Sequence, residues 1–179
     1  MGSQPKMRCL LPRVEIEAAI SRLAAEITAD YRNKYPLLLS VLKGSFIFLA
    51  DLIRRLDFPL EVEFIRLSSY GRGRETSGKV KVMQGLHVPI KGRDVLVIED
   101  IVDTGLTTSF VMDYLKKKKP ASLRLCSLMD KPARRQVPVT IDYLGFTVPD
   151  KFLVGYGLDW DERYRNLPDI CVLEDEASC

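Results

Sequence analysis

Apolar positions along this chain fall into two rhythms, helical stripes and short unbroken runs, and the two alternate over the first 130 residues. Ile16, Ile20, Leu23, Ile27 and Tyr31 recur at three- and four-residue steps, which predicts an amphipathic first helix. Leu37 to Leu42 has the composition of a strand buried on both faces of a parallel sheet. The segment from Ser45 to Arg55 reads as helix and Leu60 to Leu67 as strand. Residues 69–79 are polar and glycine-rich with no apolar anchor after Tyr70, the make-up of a functional loop and commonly of a lid. Val80 to Met83 returns to strand, and Val95 to Ile98 is a second buried run. Thr107, Phe110, Val111, Tyr114 and Leu115 then recur at helical spacing, and strands follow at Ala121–Met129, Ile141–Phe146 and Phe152–Gly157. Strands alternating with helices predict an α/β fold with a mainly parallel sheet. The later strands come without helices and predict a smaller subdomain packed over the site.

Composition narrows this picture only slightly. A chain of 179 residues suits one domain with a substantial core, and hydrophobic and charged fractions of 46% and 28% are ordinary for a soluble protein. A net charge of +3 is too small to argue for nucleic acid or a membrane surface, although a slight positive excess would suit a phosphate-rich substrate. Lys116 to Lys119 resemble a nucleic-acid patch, but they close a helix beside Pro120, where cations complement the helix dipole. We read them as a solvated helix end. Cys9, Cys126, Cys171 and Cys179 form no C-x-x-C pair and His87 is the single histidine, so no zinc site is expected. Cys126 reads as a buried small hydrophobe. Without a signal core or a run of transmembrane length, a cytoplasmic protein with free thiols is expected.

The chemistry concentrates in residues 95–108, Val-Leu-Val-Ile-Glu-Asp-Ile-Val-Asp-Thr-Gly-Leu-Thr-Thr. Glu99 and Asp100 sit where the buried strand ends, the place at which open α/β sheets form their ligand crevice. Asp103-Thr104-Gly105 reads as a turn into the next helix. Gly105 would let backbone approach a ligand, while Thr104, Thr107 and Thr108 offer hydroxyls beside the unpaired amides of a helix start. Strand, acids, turn and helix N-terminus together suit a phosphate on a sugar or nucleotide. Three other readings compete. Asp-Thr-Gly marks aspartic proteases, which need two such triplets in an all-β setting. Paired acids at a strand end occur in metal-dependent phosphotransfer domains. An exposed acidic turn without a ligand is the bland alternative.

This segment resembles the phosphoribosyl pyrophosphate signature of the type I phosphoribosyltransferases. Leu42-Lys43-Gly44, Ser68-Ser69-Tyr70-Gly71, Asp130-Lys131-Pro132, Lys151-Phe152-Leu153-Val154-Gly155-Tyr156-Gly157-Leu158-Asp159 and Tyr164-Arg165-Asn166-Leu167-Pro168 follow in an order similar to that of the hypoxanthine-guanine phosphoribosyltransferases. The resemblance runs from about the first helix to Cys171. It implies a single domain over 1–179, with a type I phosphoribosyltransferase core at about 12–150. A small hood from the N-terminal segment and about 151–175 would cover the C-terminal strand ends.

The resemblance also implies roles. Glu99, Asp100, Asp103, Thr104, Gly105, Leu106, Thr107 and Thr108 would hold the phosphoribosyl group. Glu99, Asp100 and Asp159 would attend Mg2+, which suits oxygen ligands and keeps most of its hydration. Lys43, Gly44 and Arg165 would bind pyrophosphate, with a cis peptide between Leu42 and Lys43 turning amides toward it. Alone, Lys43 reads as a solvent-facing lysine in a turn and Arg165 as a surface partner of Glu162. Lys131 would donate to O6 of a 6-oxopurine, since an ammonium has no acceptor for an amino group; its plain reading is a surface lysine. Phe152 would stack on the base, although a strand phenylalanine is usually core, and the backbone of Leu153 would meet the ring edge, with Asp159 nearby. Ser69 and Tyr70 would lead a lid over the reacting centre. Asp103 would take the proton from purine N7. Where some members carry lysine after Asp-Thr-Gly this chain has Leu106, and Arg72 and Arg74 are further loop cations.

The implied partners are phosphoribosyl pyrophosphate, a 6-oxopurine base, pyrophosphate and a nucleoside monophosphate product, in a homodimer or homotetramer. No membrane or nucleic acid is expected. The rivals are a regulator that kept the fold and binds nucleic acid, and a xanthine- or pyrimidine-specific relative.

Overall fold

The computed structural model describes residues 5–69 and 80–174. Its centre is a six-stranded sheet in the order β4-β3-β2-β5-β6-β7. The strands are β2 (Leu37–Leu42), β3 (Glu61–Ser69), β4 (Val80–Gln84), β5 (Asp94–Val102), β6 (Ser122–Asp130) and β7 (Tyr143–Thr147). Five run parallel and β4 pairs antiparallel at the edge. Because β2, β3, β5 and β6 point the same way, the loops after them share one edge of the sheet, where ligand crevices form.

Three helices cover the sheet: α1 (Arg13–Tyr31), α2 (Phe46–Ile53) and α3 (Leu106–Lys116). Pro12 is extended and hands over to α1, whose stripe Ile16, Ile20, Leu23, Ile27 and Tyr31 is buried as its periodicity predicts. Strand alternation then divides the core. Leu38, Leu96 and Ile98 pack with α1 and α2, while Leu37, Leu39, Val41, Val95 and Val97 pack with α3 on the other face. Each such side chain contributes roughly 1.5–3 kcal/mol of burial. Cys126 lies in the first of these clusters.

A second sheet, β1-β9-β8, lies apart from the first and is built from β1 (Lys6–Leu11), β8 (Leu153–Val154) and β9 (Ile170–Glu174). Neither β1 nor β9 is legible as a strand. β1 is exposed over most of its length, with no alternation to reveal a face, and its pairing with β9 joins residues some 160 positions apart. The expected strand at 152–157 shrinks to two residues, since the backbone beyond Val154 turns through positive φ at Gly155, Tyr156 and Gly157. β7 starts two residues later than the apolar pattern suggests, because Asp142 is occupied in accepting the Leu125 amide. α3 ends at Lys116, and Lys118 covers the Tyr114 ring at 4.8 Å. Among the described residues, no helix is long and apolar enough to cross a membrane.

Candidate active site

At the shared strand edge, residues from four parallel strands and the second sheet meet. β5 ends in Glu99 and Asp100. Glu99 is buried, and burial, followed by the neighbouring Asp100, pushes its carboxyl well above the usual range. Burial also raises Asp100, to about 6, against hydrogen bonds that favour its charged form; one is the Ile101 amide donating to Oδ1 at 3.0 Å. After β2 the Leu42–Lys43 peptide is cis, and a side chain at Gly44 would strike the Asp100 carboxylate. Gly157, at φ +100°, is held equally close: a Cβ there would meet the Gly44 carbonyl oxygen. The loops after β2 and β8 are thus pressed together over the end of β5.

The turn after β5 opens onto the start of α3. Gly105 is left-handed at φ 83°, and the first intrahelical donor is Ser109, whose amide reaches the Gly105 carbonyl at 2.8 Å. The amides of Leu106, Thr107 and Thr108 precede it at the positive end of the helix, an anion-binding arrangement. The segment after β6 braces this turn from behind. Arg135 donates to the carbonyls of Asp103 (3.0 Å) and Val102 (3.1 Å) and pairs with Asp130, and the Gln136 amide donates to the Thr104 carbonyl at 2.9 Å. Asp103 Oδ1 is buried with no hydrogen-bond partner, and Oδ2 lies 3.6 Å from Arg134.

Beside the acids lies a polar cavity of about 370 Å³, lined by Lys43, Gly44, Arg66, Asp100, Asp159, Glu162 and Arg165 among others. Arg165 sits 2.7 Å from Asp159 and 3.2 Å from Glu162, and donates to the Gly157 carbonyl at 2.8 Å. Its Nε is buried without a partner. Lys43 Nζ lies 2.9 Å from both oxygens of Glu162. Arg165 is therefore more than a surface partner of Glu162.

Toward the second sheet, Lys131 is buried, with Nζ donating to the Lys151 carbonyl at 2.9 Å. Phe152 is 43% exposed and so is not a core aromatic, whereas Leu153 is buried in β8. The Phe152 carbonyl accepts from Leu173, which fixes the backbone under the ring.

Glu99, Asp100 and Asp159 do not converge on one point, and among the described residues no three acidic, histidine or cysteine side chains form a metal cluster. Adjacent strand residues project to opposite faces, which separates Glu99 from Asp100. Both Asp159 oxygens are engaged, one by Arg165 and one by the Glu162 amide. This donor set fits a magnesium ion carried mostly by water and substrate phosphates, and does not fit a closed protein cage.

Ser69 ends β3, while Tyr70, Arg72, Arg74 and the remainder of the expected lid lie outside the described residues. Arg66 and Arg135 escaped the sequence reading, and Glu162 entered it only as the partner of Arg165. Arg66 pairs in register with Leu42 at the crevice end of β3, a position that could have flagged it. Arg135 reaches carbonyls more than 30 residues away and Glu162 reaches Lys43 119 residues away, and neither contact left a local signal.

Residues 10–161 match the phosphoribosyl transferase domain family, and the chain belongs to that family. A hypoxanthine-guanine phosphoribosyltransferase of Aquifex aeolicus is 47% identical over 171 residues, covering 95% of this chain and 96% of the relative. That of Bacillus subtilis is 45% identical over 167 residues, covering 93% of each. The chain also matches the bifunctional protein TilS/HprT of Listeria monocytogenes at 47% identity, but spans only 26% of that longer protein. Among solved structures, a hypoxanthine-guanine phosphoribosyltransferase from Bacillus anthracis superposes with a TM-score of 0.89 at 43% identity, covering 96% of this chain and all of the other.

Proposed function

We propose that the protein transfers the 5-phosphoribosyl group from phosphoribosyl pyrophosphate to N9 of hypoxanthine or guanine, giving the nucleoside monophosphate and pyrophosphate in purine salvage. One observation carries this reading. An anion-binding turn, a cation-lined cavity and an exposed phenylalanine beside a buried lysine meet at one edge of a parallel sheet. These suit, in turn, the 5′-phosphate, the leaving group and the base.

The amides and hydroxyls of 104–108 hold the 5′-phosphate at the start of α3. Lys43, Gly44 and Arg165 line the cavity and take the pyrophosphate, the planar guanidinium matching its oxygens. Phe152 stacks on the base. Lys131 has three donors, so it can keep the Lys151 carbonyl and still offer a proton to O6, which discriminates against adenine. As N9 bonds to C1′, the C1′–oxygen bond breaks and its electron pair leaves with pyrophosphate. Asp103 accepts the N7 proton, its side chain being only partly buried at the signature turn. Asp100, Glu99 and Asp159 would attend a hydrated magnesium ion, which supplies charge neutralisation at the ribose and pyrophosphate. The enzyme would act in the cytoplasm as a homodimer or homotetramer, with Ser69 and Tyr70 leading its lid.

The test is pyrophosphate release from phosphoribosyl pyrophosphate and magnesium, with hypoxanthine, guanine, xanthine, adenine and uracil supplied in parallel. Turnover with 6-oxopurines, reduced about 100- to 10,000-fold in Asp103→Ala, is expected. Lys131→Ala should lose preference for oxopurines over adenine. Folded protein that binds the activated sugar but turns over no base would overturn the reading and favour a regulator.

A further inference from the structure

We propose that Glu162 is an internal counter-anion that competes with pyrophosphate for Lys43 and Arg165, and thereby sets how tightly pyrophosphate is held and how readily it leaves. The inference rests on the pyrophosphate assignment of this cavity. Three observations carry it.

The first is geometry. Lys43 follows β2 and Glu162 lies 119 residues later, yet Nζ is 2.9 Å from both carboxylate oxygens, and one of these is also 3.2 Å from Arg165. Glu162 thus joins two cations that come from separate loops and line one cavity. Asp159 makes no such bridge; it holds Arg165 alone at 2.7 Å.

The second is that the bridge is easily exchanged. The Glu162 and Lys43 side chains are 64% and 46% exposed, so solvent screens their pairing and it stabilises little. Pyrophosphate brings several charges and fork-shaped oxygens that suit a guanidinium better than one carboxylate does. Arg165 keeps its place when Glu162 lets go, because Asp159 and the Gly157 carbonyl still hold it. Removing the carboxylate therefore frees the two cations without scattering them.

The third is the backbone. Asp161 and Glu162 form a two-residue turn at φ 52° and 62°, closed by mutual hydrogen bonds between Trp160 and Arg163. Such turns favour Asn and Gly, and a glutamate there is strained because its Cβ crowds the following carbonyl. A glycine would fold more easily but would leave Lys43 without its anion.

As pyrophosphate departs, the carboxylate re-forms the bridge and blocks its return. The same competition weakens capture of phosphoribosyl pyrophosphate, so Glu162 exchanges affinity for release.

Calorimetric titration of wild type, Glu162→Gln and Glu162→Gly with inorganic pyrophosphate and magnesium tests this. Both variants should bind pyrophosphate about three- to tenfold more tightly, and the difference should shrink in 1 M salt. Binding of the nucleoside monophosphate, whose phosphate belongs to the 104–108 turn, should not change. Glu162→Gly should also raise the melting temperature while Glu162→Gln does not. A merely structural glutamate would make pyrophosphate affinity follow stability. Unchanged or weaker pyrophosphate binding in both variants overturns the inference. Wild type that binds neither pyrophosphate nor phosphoribosyl pyrophosphate overturns the assignment beneath it.

Discussion

At position 44 a hydrogen in place of a methyl group leaves room for the Asp100 carboxylate. Gly44→Ala should destabilise the fold by about 1–3 kcal/mol, as overpacking does, and weaken binding of phosphoribosyl pyrophosphate. Urea denaturation and substrate titration would read the two effects. The cysteines differ in a similarly local way. Cys9 is exposed, whereas Cys126 is buried and burial pushes its thiol up. Ellman's reagent should therefore label Cys9 promptly and reach Cys126 only on denaturation, as peptide mapping of the adducts would show. Burial of Cys126 was legible, because an apolar strand surrounds it in sequence. The burial of Lys131 was not, since its cover comes from Lys151 and the segment before β8.

Between elements, the important contact is the brace that residues 130–137 form behind the signature turn. Arg135 satisfies two carbonyls of that turn and pairs with Asp130, and it is largely buried. Arg135→Ala leaves the Asp103 carbonyl and the Asp130 carboxylate without their donor, while the Val102 carbonyl keeps the Lys131 amide, at a cost of about 2–4 kcal/mol. A lowered melting temperature and a reduced turnover number are expected together, because the turn that carries Asp103 loses its backing. The turn and helix it supports were readable from 95–108 alone. The brace was not, since nothing in Arg-Arg-Gln distinguishes a buried clamp from a solvated loop until β6 places it against β5. β1 and β9 were hidden for a related reason: each acquires its partner only when segments some 160 residues apart meet.

For the whole molecule, gathering acids at one sheet edge makes stability depend on pH. Burial raises Asp100 to about 6 and also pushes Glu99 well above its usual range, so between pH 4 and 6 the folded protein keeps protons that the unfolded chain has released. Stability is then highest below the unfolded carboxylate range and falls as pH rises through 6. Asp100 accounts for about 2 kcal/mol of this, discounted for screening because its side chain is only partly buried at the strand end. Asp100→Asn should be more stable than wild type at pH 8 and lose that advantage near pH 4, as urea midpoints across the range would show. It should also bind magnesium phosphoribosyl pyrophosphate less well, the usual exchange between site and stability. By itself, the sequence determined the alternation of strands and helices, the two-faced core, and the strand-acid-turn-helix segment, because each depends on neighbours within a few residues. Tertiary structure alone decided that Glu162 would bridge Lys43 and Arg165, that Arg135 would back Asp103, and that Gly44 and Gly157 would touch. Those outcomes depend on where parallel strands deliver their ends, and no local pattern encodes that distance.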